Sequence, residues 1–333
     1  MGKNQVCLIL ADAGRVRCHA ACGRIFNDTA RVFLWKYEQG GNSMKVGFIG
    51  AGKAGCSLGK YFSTYQMQQS GQTEALEVTG YYSLMKEDAR WAAQFTDSHL
   101  FQSVKEVIVA SDTIIISTPD GAVKDVWNAL DKEKIHGRII CHLSGSLSSD
   151  VFSGIGEYGA YPVSIHPMFA FSDKDSVYRQ LHQASFTLEG HEKAVVAWQR
   201  VLKALGNAVL PIDKSVKSKY HAAASILSNH VVAVLETGYE LLRDCGFSEE
   251  EARDFSQILV KDNVRHVIEK GSVEALTGPV ERADTETIKT HLSVMSEEQK
   301  KLYCICGKKL VEIAKKKNPE QNYDDINNLL QSG

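Results

Sequence analysis

The chain has 333 residues, which exceeds the usual single-domain size of about 100–200 residues, so we expect two domains. Its composition, 44% hydrophobic and 23% charged, is that of a globular protein and excludes disordered, collagenous and coiled-coil classes. The formal net charge of −2 offers no cationic surface for nucleic acid or anionic lipid. We therefore expect a small-molecule partner, with no nucleic acid and no membrane partner.

The eight cysteines are spread along the chain without the regular spacing of a disulfide framework, which predicts reduced thiols in the cytoplasm. We expect no metal site, because neither the Cys18/Cys22 pair nor the Cys304/Cys306 pair has a second pair at zinc-site spacing. No apolar run approaches the roughly 18 residues that a membrane helix requires.

Residues 1–43 are rich in arginine and end in a Gly-Gly-Asn-Ser stretch, which predicts a poorly ordered extension before a fold that begins at Met44. Translation from a start upstream of Met44 would explain this segment. An organelle transit peptide is the alternative, and it would indicate a mitochondrial protein. In either case we expect that removing the segment leaves folding and cofactor binding intact.

From Lys45 onward, short β-rich apolar runs alternate with helical stretches, which predicts an α/β fold with a doubly wound, mostly parallel Rossmann sheet. Seven strands and three helices are predicted in this part of the chain. The strands are Lys45–Ile49, Leu76–Tyr82, Thr113–Ser117, Ile139–His142, Val163–His166, Ser185–Glu189 and Ala208–Ile212, and the helices are Lys53–Tyr65, Ala122–Leu130 and Glu192–Leu205.

After Asp213 the strand signals stop, which predicts a dinucleotide-binding domain over 44–213 and an all-helical substrate and dimerisation domain over 214–333. A long amphipathic run ends at Gly246, and Ser248 with Glu251 forms the capping-box pattern of the next helix. Further helices are expected from Asp284 or Thr285 through about Leu310.

The first predicted strand is followed at once by a G-x-G-x-x-G turn and a helix, the context that distinguishes a phosphate-binding turn from a chance glycine triplet. Gly50 permits the tight turn, Gly52 lets the backbone approach a pyrophosphate, and Gly55 allows close packing of helix on strand. The helix N-terminus supplies N–H groups for the phosphates. The predicted cofactor-binding residues here are Gly50, Ala51, Gly52, Lys53, Ala54 and Gly55.

The end of the second strand favours NADP over NAD. An acidic residue at this position holds the ribose of NAD, and none is present. Ser83 can instead donate to the NADP phosphate, and Lys86 can neutralise it. The alternative for Lys86 is a solvated helix start.

Polar residues at three other strand ends are candidates for the cofactor and substrate site, because ligands bind at the carboxyl ends of strands in open α/β sheets. Ser117, Thr118 and Pro119 close one strand and Ser144 follows the next, all as predicted cofactor contacts. Turns of small residues without a ligand are the alternative for these two clusters. His166 ends a third strand, and it could exchange the proton that accompanies hydride transfer. A hydrogen-bonded structural histidine before Pro167 is the alternative.

The first helix of the second domain carries a polar stripe. At 100° per residue His221, Ser225 and Asn229 fall within an arc of about 80°. Facing a cleft, His221 and Asn229 would contact substrate as catalytic candidates. Facing another helix, they would satisfy one another in a core or a subunit interface.

Several segments carry a resemblance to a known family. The segments are Lys45–Gly55, Ser117–Asp120, His142–Leu147, Ser164–Pro167, Tyr220–Ala224 with Asn229, and Leu276–Pro279 with Arg282 and Asp284. Together they resemble Rossmann-like proteins with a C-terminal helical domain of unassigned function, which are grouped with candidate NADP oxidoreductases and are related to pyrroline-5-carboxylate reductase and the β-hydroxyacid dehydrogenases. The resemblance implies the fold, NADP and a homodimer joined by the helical domain, and it implies no substrate.

The chain departs from that family at two places. His166-Pro167 is followed by Met-Phe-Ala-Phe instead of the usual Leu-Gln-Thr-Phe, and Ala283 stands where the family has glycine. The His-Pro-Met-Phe stretch is also similar to prephenate dehydrogenases, whose histidine assists hydride transfer.

These features predict an NADP-dependent oxidoreductase that transfers hydride to or from a small polar substrate: an imine, an oxo acid or a hydroxy acid. The alternative is an NADPH-sensing or regulatory binding protein without catalysis. The glycine turn fits both, whereas only an enzyme requires a proton carrier such as His166 or His221.

Overall fold

The computed structural model describes residues 43–68 and 76–332. The predicted N-terminal extension lies outside the described residues except for Ser43. The chain divides into two compact units, and the boundary in the sequence lies between Ser215 and Val216.

The first unit contains one eight-stranded sheet in the order β3-β2-β1-β4-β5-β6-β7-β8, in which every neighbouring pair is parallel except β6 and β7. The predicted fold class is confirmed, and all seven predicted strands are present. The two-residue β3 was not predicted, since two residues carry no periodic signal. The strands are β1 (Met44–Ile49), β2 (Leu76–Tyr82), β3 (His99–Leu100), β4 (Thr113–Ile116), β5 (Ile139–His142), β6 (Tyr161–Met168), β7 (Ser185–Gly190) and β8 (Ala208–Pro211).

Helices cover both faces of this sheet. The core on the face of α1, α2 and α5 contains Phe62 and Trp198. The core on the face of α3 and α4 contains Trp127. The sequence predicted α1, α4 and α5 but not α2 and α3. The helices are α1 (Lys53–Gln68), α2 (Lys86–Thr96), α3 (Val104–Ala110), α4 (Asp120–Ala129) and α5 (Glu192–Ala204).

The strand register places one residue from each of five strands in a single row across the sheet. That row consists of Ile49, Ile116, His142, Ser164 and Glu189. Because β1, β4 and β5 end at this row and β6 ends four residues beyond it, their carboxyl ends lie at one end of the sheet. We refer to it as the carboxyl end of the sheet.

The second unit is helical and has its own core, which includes Val280, Ile288, Val311 and Tyr323. None of the helices in the described ranges is long and apolar enough to cross a membrane. The helices are α6 (Lys217–Ser225), α7 (Val231–Asp244), α8 (Glu249–Lys270), α9 (Ser272–Ala275), α10 (Thr285–Val294), α11 (Glu297–Lys317) and α12 (Asp324–Ser332), and a π-helical turn (Ile226–His230) joins α6 to α7.

Two predicted helix starts are confirmed. Ser248 and Glu251 form the capping box of α8, and Asp284 caps α10 by accepting from the Thr287 N–H. The further helices predicted from Asp284 or Thr285 to about Leu310 are α10 and α11, and Ser296 forms a second capping box at the start of α11.

The π-helical turn was also not predicted from the α-helical pattern. Its wider spacing places His230 Nδ1 3.1 Å from the Ser225 carbonyl oxygen, five residues earlier. The spacing of 100° per residue therefore does not apply between Ser225 and Asn229. Asn229 is exposed and its Oδ1 accepts from the Ser228 hydroxyl, whereas His221 and Ser225 are half-buried.

Candidate functional site

The turn after β1 requires glycine at position 50. Gly50 has φ +107°, a conformation that other residues rarely adopt, and its N–H donates to the Tyr82 carbonyl at 2.8 Å. A Cβ at this position would lie 2.9 Å from the Ser117 carbonyl carbon. The chain can therefore turn sharply here only without a side chain.

Ser117, which follows β4, stabilises the same turn by hydrogen bonds. Its N–H donates to the Ile49 carbonyl at 2.8 Å, and its hydroxyl donates to the Gly50 carbonyl at 3.0 Å. A Cβ at Gly55 would lie only 2.4 Å from Ser117 Oγ. Gly55 thus lets α1 pack tightly against the end of β4.

The N-terminus of α1 has open hydrogen-bond donors. The first backbone bond of this helix runs from Cys56 N–H to the Gly52 carbonyl at 3.0 Å. The Lys53, Ala54 and Gly55 N–H groups have no acceptor among the described residues. Such groups, together with the helix dipole, suit an anion such as a phosphate.

A cavity of about 460 Å³ lies beside the turn. A loop before β7 forms its other wall, where Lys174 Nζ lies 3.3 Å from Asp88 Oδ1 and 4.6 Å from the centre of the Trp91 ring. The sequence analysis did not identify this loop, because it lies more than a hundred residues after the glycine turn. The cavity is lined by Ala51, Gly52, Lys53, Asp88, Ser172, Asp173, Lys174 and Asp175.

Asp173 organises that loop. Its carboxylate accepts from the Ser176 N–H at 2.7 Å and from the Ser176 hydroxyl at 2.8 Å. These hydrogen bonds hold the pKa of Asp173 well below its usual value, so the side chain is a carboxylate at neutral pH.

Cys56 lies under the glycine turn, in a buried position that disfavours the reactive thiolate form. Its Sγ donates to the Ala51 carbonyl at 3.2 Å, and burial raises the pKa of the thiol to about 12 despite the nearby Lys174.

The end of β2 carries the residues predicted to distinguish NADP from NAD. Ser83 is half-buried, and its hydroxyl accepts from the Met85 N–H at 3.3 Å. Lys86 is exposed at the start of α2 and makes no ion pair with any residue that the structure describes. Both side chains can thus be reached by a ligand.

A second polar cluster joins the start of α4 to the loop after β5. Asp120 Oδ2 accepts from the Ser144 hydroxyl at 2.6 Å and from the Ser146 hydroxyl at 3.1 Å. Ser144 is buried, and its oxygen also accepts from the Leu147 N–H at 3.0 Å. The sequence analysis placed Ser144 at the site but did not select Asp120, although both follow predicted strands.

The loop after β5 is held by further hydrogen bonds. The Ser144 N–H donates to His142 Nδ1 at 3.2 Å, so the ring proton is on Nε2, which lies 3.3 Å from the Ser148 carbonyl. The Ser164 hydroxyl donates to the Ser144 carbonyl at 3.1 Å. The loop is thereby fixed at the carboxyl end of the sheet.

His166 lies near the end of β6, half-buried and directly opposite Thr187 of β7. The first unit thus contains the glycine turn, Ser83, Lys86, Ser117, Thr118, Pro119, Ser144 and His166. His221 and Asn229 belong to the second unit.

Two family models match the sequence. The model described as a Rossmann-like domain matches residues 38–167, and the model described as a domain of unknown function, DUF2520, matches residues 184–310. A search of curated proteins finds no match.

Several solved structures are similar. A candidate NADP oxidoreductase from Bacteroides fragilis is 22% identical, with 81% of this chain and 98% of that chain covered and a TM-score of 0.64. A protein from Thermotoga maritima is 25% identical, with coverages of 81% and 98% and a TM-score of 0.60. A Plasmodium falciparum pyrroline carboxylate reductase with NADP bound is 15% identical, with coverages of 82% and 96% and a TM-score of 0.54.

An imine reductase from a Pseudomonas species shares the same fold at 19% identity, with coverages of 82% and 98% and a TM-score of 0.57. The sheet order, the helical second unit and both family matches agree with the resemblance drawn from the sequence. The chain therefore combines a Rossmann-like domain with a C-terminal domain of the DUF2520 family.

Proposed function

We propose that this protein is an NADP-dependent oxidoreductase that transfers hydride to or from a small imine, oxo acid or hydroxy acid. The observation that carries the proposal is the open N-terminus of α1, which follows the Gly50 turn at the carboxyl end of the sheet. That position binds dinucleotide pyrophosphates in doubly wound sheets. The similar structures that are named for NADP, or that hold it, support the same cofactor.

The described residues fit this cofactor. The backbone of Gly50–Gly55 would hold the pyrophosphate, and Gly52 is exposed, so the chain leaves room for close approach. Ser83 and Lys86 would hold the 2′-phosphate. Ser117, Thr118, Pro119 and Ser144 would line the ribose and nicotinamide half. When bound, NADPH would supply the hydride.

His166 is the preferred proton carrier. It lies near the carboxyl end of β6, where pairing with Thr187 of β7 fixes the backbone that carries the ring. An imidazole at such a point can give or take the proton that accompanies hydride transfer. His221 and Asn229 are the second candidates, and Asn229 lies within a π-helical turn of the kind that is frequent at functional sites.

The proposal is tested with the full chain. NADPH and NADH affinities are measured by fluorescence titration, and a panel of imines, oxo acids and hydroxy acids is screened through the absorbance of NADPH. On any substrate found, His166→Asn should lower turnover by about 10²–10⁴-fold and leave NADPH affinity unchanged. His136→Asn is the matched control, since His136 is exposed before the amino end of β5.

Full turnover by both His166→Asn and His221→Asn would mean that another group carries the proton. Tight NADPH binding without turnover of any compound would favour the sensing protein instead. Failure to bind NADPH would reject both functions.

We also propose that residues 44–213 form the cofactor domain and that residues 214–333 join two chains in a homodimer. Phe255, Ile258 and Leu259 of α8 are between 73% and 81% exposed, and in α8 only Ala252 is buried. A contiguous apolar surface of this kind marks an interaction site. The cytoplasm remains our expectation for the compartment.

The dimer is tested by light scattering coupled to gel filtration at micromolar concentration. Phe255→Glu should give a monomer of unchanged helix content. Val109→Glu on α3, where the native side chain is 65% exposed in the first unit, should leave the dimer intact. A monomeric wild-type mass would reject the homodimer.

A further inference from the structure

One face of the β6–β7 pair is polar. Ser164 lies opposite Glu189, and His166 lies opposite Thr187, so all four side chains project from the same face of the sheet. We refer to these four residues as the polar face. The alternate residues of the two strands are apolar and pack in the core on the opposite face, namely Val163, Ile165, Phe186 and Leu188.

Two residues of the polar face, Glu189 and Ser164, hydrogen-bond to neighbouring loops of the first unit. The Glu189 carboxylate accepts from the Ser149 N–H and from the Ser149 hydroxyl, each at 2.7 Å. The Ser164 hydroxyl donates to the Ser144 carbonyl at 3.1 Å. The polar groups of this row therefore have a structural explanation.

Thr187 pairs with His166, two residues closer to the carboxyl end of β6 than Ser164, and its hydroxyl has no such explanation. Its side chain is 8% exposed, and its Oγ1 is buried without a hydrogen-bond partner among the described residues. Burying a hydroxyl unpaired costs stability, and valine would fill the same space without that cost. Each unpaired buried hydroxyl in a native structure calls for an explanation, and at Thr187 the position opposite His166 suggests a bound small molecule.

We propose that the Thr187 hydroxyl is a substrate-binding group. It hydrogen-bonds to a polar atom of the small molecule to which, or from which, His166 transfers a proton. This inference rests on the proposed function. Directly opposite residues of an antiparallel pair have Cβ atoms about 4.5–5.5 Å apart, so one functional group can reach both. Because a hydroxyl both donates and accepts, it suits an imine or amine nitrogen as well as a carbonyl or carboxylate oxygen.

The chain offers a matched control. Thr113 is also fully buried, and its Oγ1 also lacks a partner among residues 43–68 and 76–332. It is the first residue of β4, so it lies at the amino end of that strand, whereas the proposed site lies towards the carboxyl end of the sheet. Thr113→Val and Thr187→Val thus make the same chemical change at the two ends of one sheet.

The test compares Thr187→Val, Thr187→Ser and Thr113→Val in the full chain. Both valine variants should melt at the wild-type temperature or about 2 °C above it, because each removes an unpaired hydroxyl. Only Thr187→Val should lower kcat/KM, by about 10-fold, with NADPH affinity unchanged. Thr187→Ser should restore most of the loss.

Binding gives a second readout that does not need turnover. The same imines, oxo acids and hydroxy acids are screened for thermal stabilisation with NADP⁺ present. Compounds that stabilise the wild type and Thr113→Val should fail to stabilise Thr187→Val.

Three results would overturn the inference: unchanged kcat/KM in Thr187→Val, unchanged stabilisation of this variant by the compounds, or a melting temperature several degrees below wild type, which would show a structural partner for the hydroxyl. Binding without turnover in the wild type would count against the oxidoreductase but not against Thr187. Absence of both binding and turnover would reject the two proposals together.

Discussion

The Ser117 hydroxyl occupies the space beside Gly55. A Cβ added at Gly55 would lie 2.4 Å from Ser117 Oγ, whereas a Cβ added at Gly52 would meet nothing closer than the Ser117 carbonyl oxygen at 4.0 Å. The two positions of this motif therefore favour glycine for different physical reasons. Gly55 is required by packing within the fold, and Gly52 is required only if a ligand approaches the backbone.

This difference predicts opposite phenotypes for two alanine variants. Gly55→Ala should lower the free energy of unfolding by about 1–3 kcal/mol, because the methyl group forces Ser117 out of its place. Gly52→Ala should leave stability nearly unchanged and weaken NADPH binding by about 10-fold. Chemical denaturation and fluorescence titration measure the two effects.

The double variant Gly55→Ala with Ser117→Gly is the control for the packing argument, since it removes both the hydroxyl and the Ser117 Cβ that the new methyl group would meet. It should recover part of the lost stability. A destabilised Gly52→Ala with normal NADPH affinity would contradict the ligand role of Gly52.

Ser83→Asp should shift cofactor preference from NADP toward NAD by at least about 10-fold. A carboxylate at the end of β2 repels the 2′-phosphate and can accept from the ribose hydroxyls. Lys86→Ala is the companion variant, which should weaken NADPH binding and leave NADH binding unchanged. Equal preference before and after both changes would show that this loop does not contact the adenosine ribose.

Cys56 should resist alkylation that modifies Cys245. Burial raises the pKa of Cys56 from 9.0 to about 12, so its thiolate at pH 8 is roughly 10³-fold scarcer than that of an ordinary thiol, whereas Cys245 is exposed. Iodoacetamide treatment of the folded protein followed by peptide mapping measures both rates. Comparable labelling of the two cysteines would contradict the burial of Cys56.

The same shift has a consequence for alkaline stability. Because the pKa is higher in the folded protein than in the unfolded chain, Cys56 favours the folded state fully below about pH 9, and this contribution is lost as the pH rises from about 9 to about 12. Cys56→Ala should therefore lose less stability over that range than the wild type does.

Ala283→Gly should raise stability by up to about 1 kcal/mol. Ala283 has φ +58°, a left-handed conformation that costs a residue with a Cβ about 1–2 kcal/mol. Glycine avoids this cost, but it also raises the conformational entropy of the unfolded chain, which cancels part of the gain. Ala314→Gly, in the interior of α11, is the control and should lose at least about 1 kcal/mol, because it also removes a methyl group that is buried in the core. A loss of stability in Ala283→Gly would mean that the Ala283 side chain contributes more by packing than its backbone costs.

Local patterns in the sequence predicted the parts of this protein that depend on neighbouring residues. Apolar runs predicted seven strands, and the Ser248–Glu251 pattern predicted a capping box, because both signals arise within a few residues. The G-x-G-x-x-G turn was readable for the same reason, since a strand, a positive-φ glycine and a helix start follow one another directly.

The tertiary structure alone decided which distant residues meet. The antiparallel pairing of β7 with β6 places Thr187 opposite His166, and the loop that carries Lys174 closes a cavity beside Gly52. Strand order and loop position follow from the packing of the whole sheet, which no local pattern encodes. The sequence by itself thus determined the glycine turn and the alternation of elements, whereas the neighbours of His166 depended on a strand pairing that only the folded chain establishes.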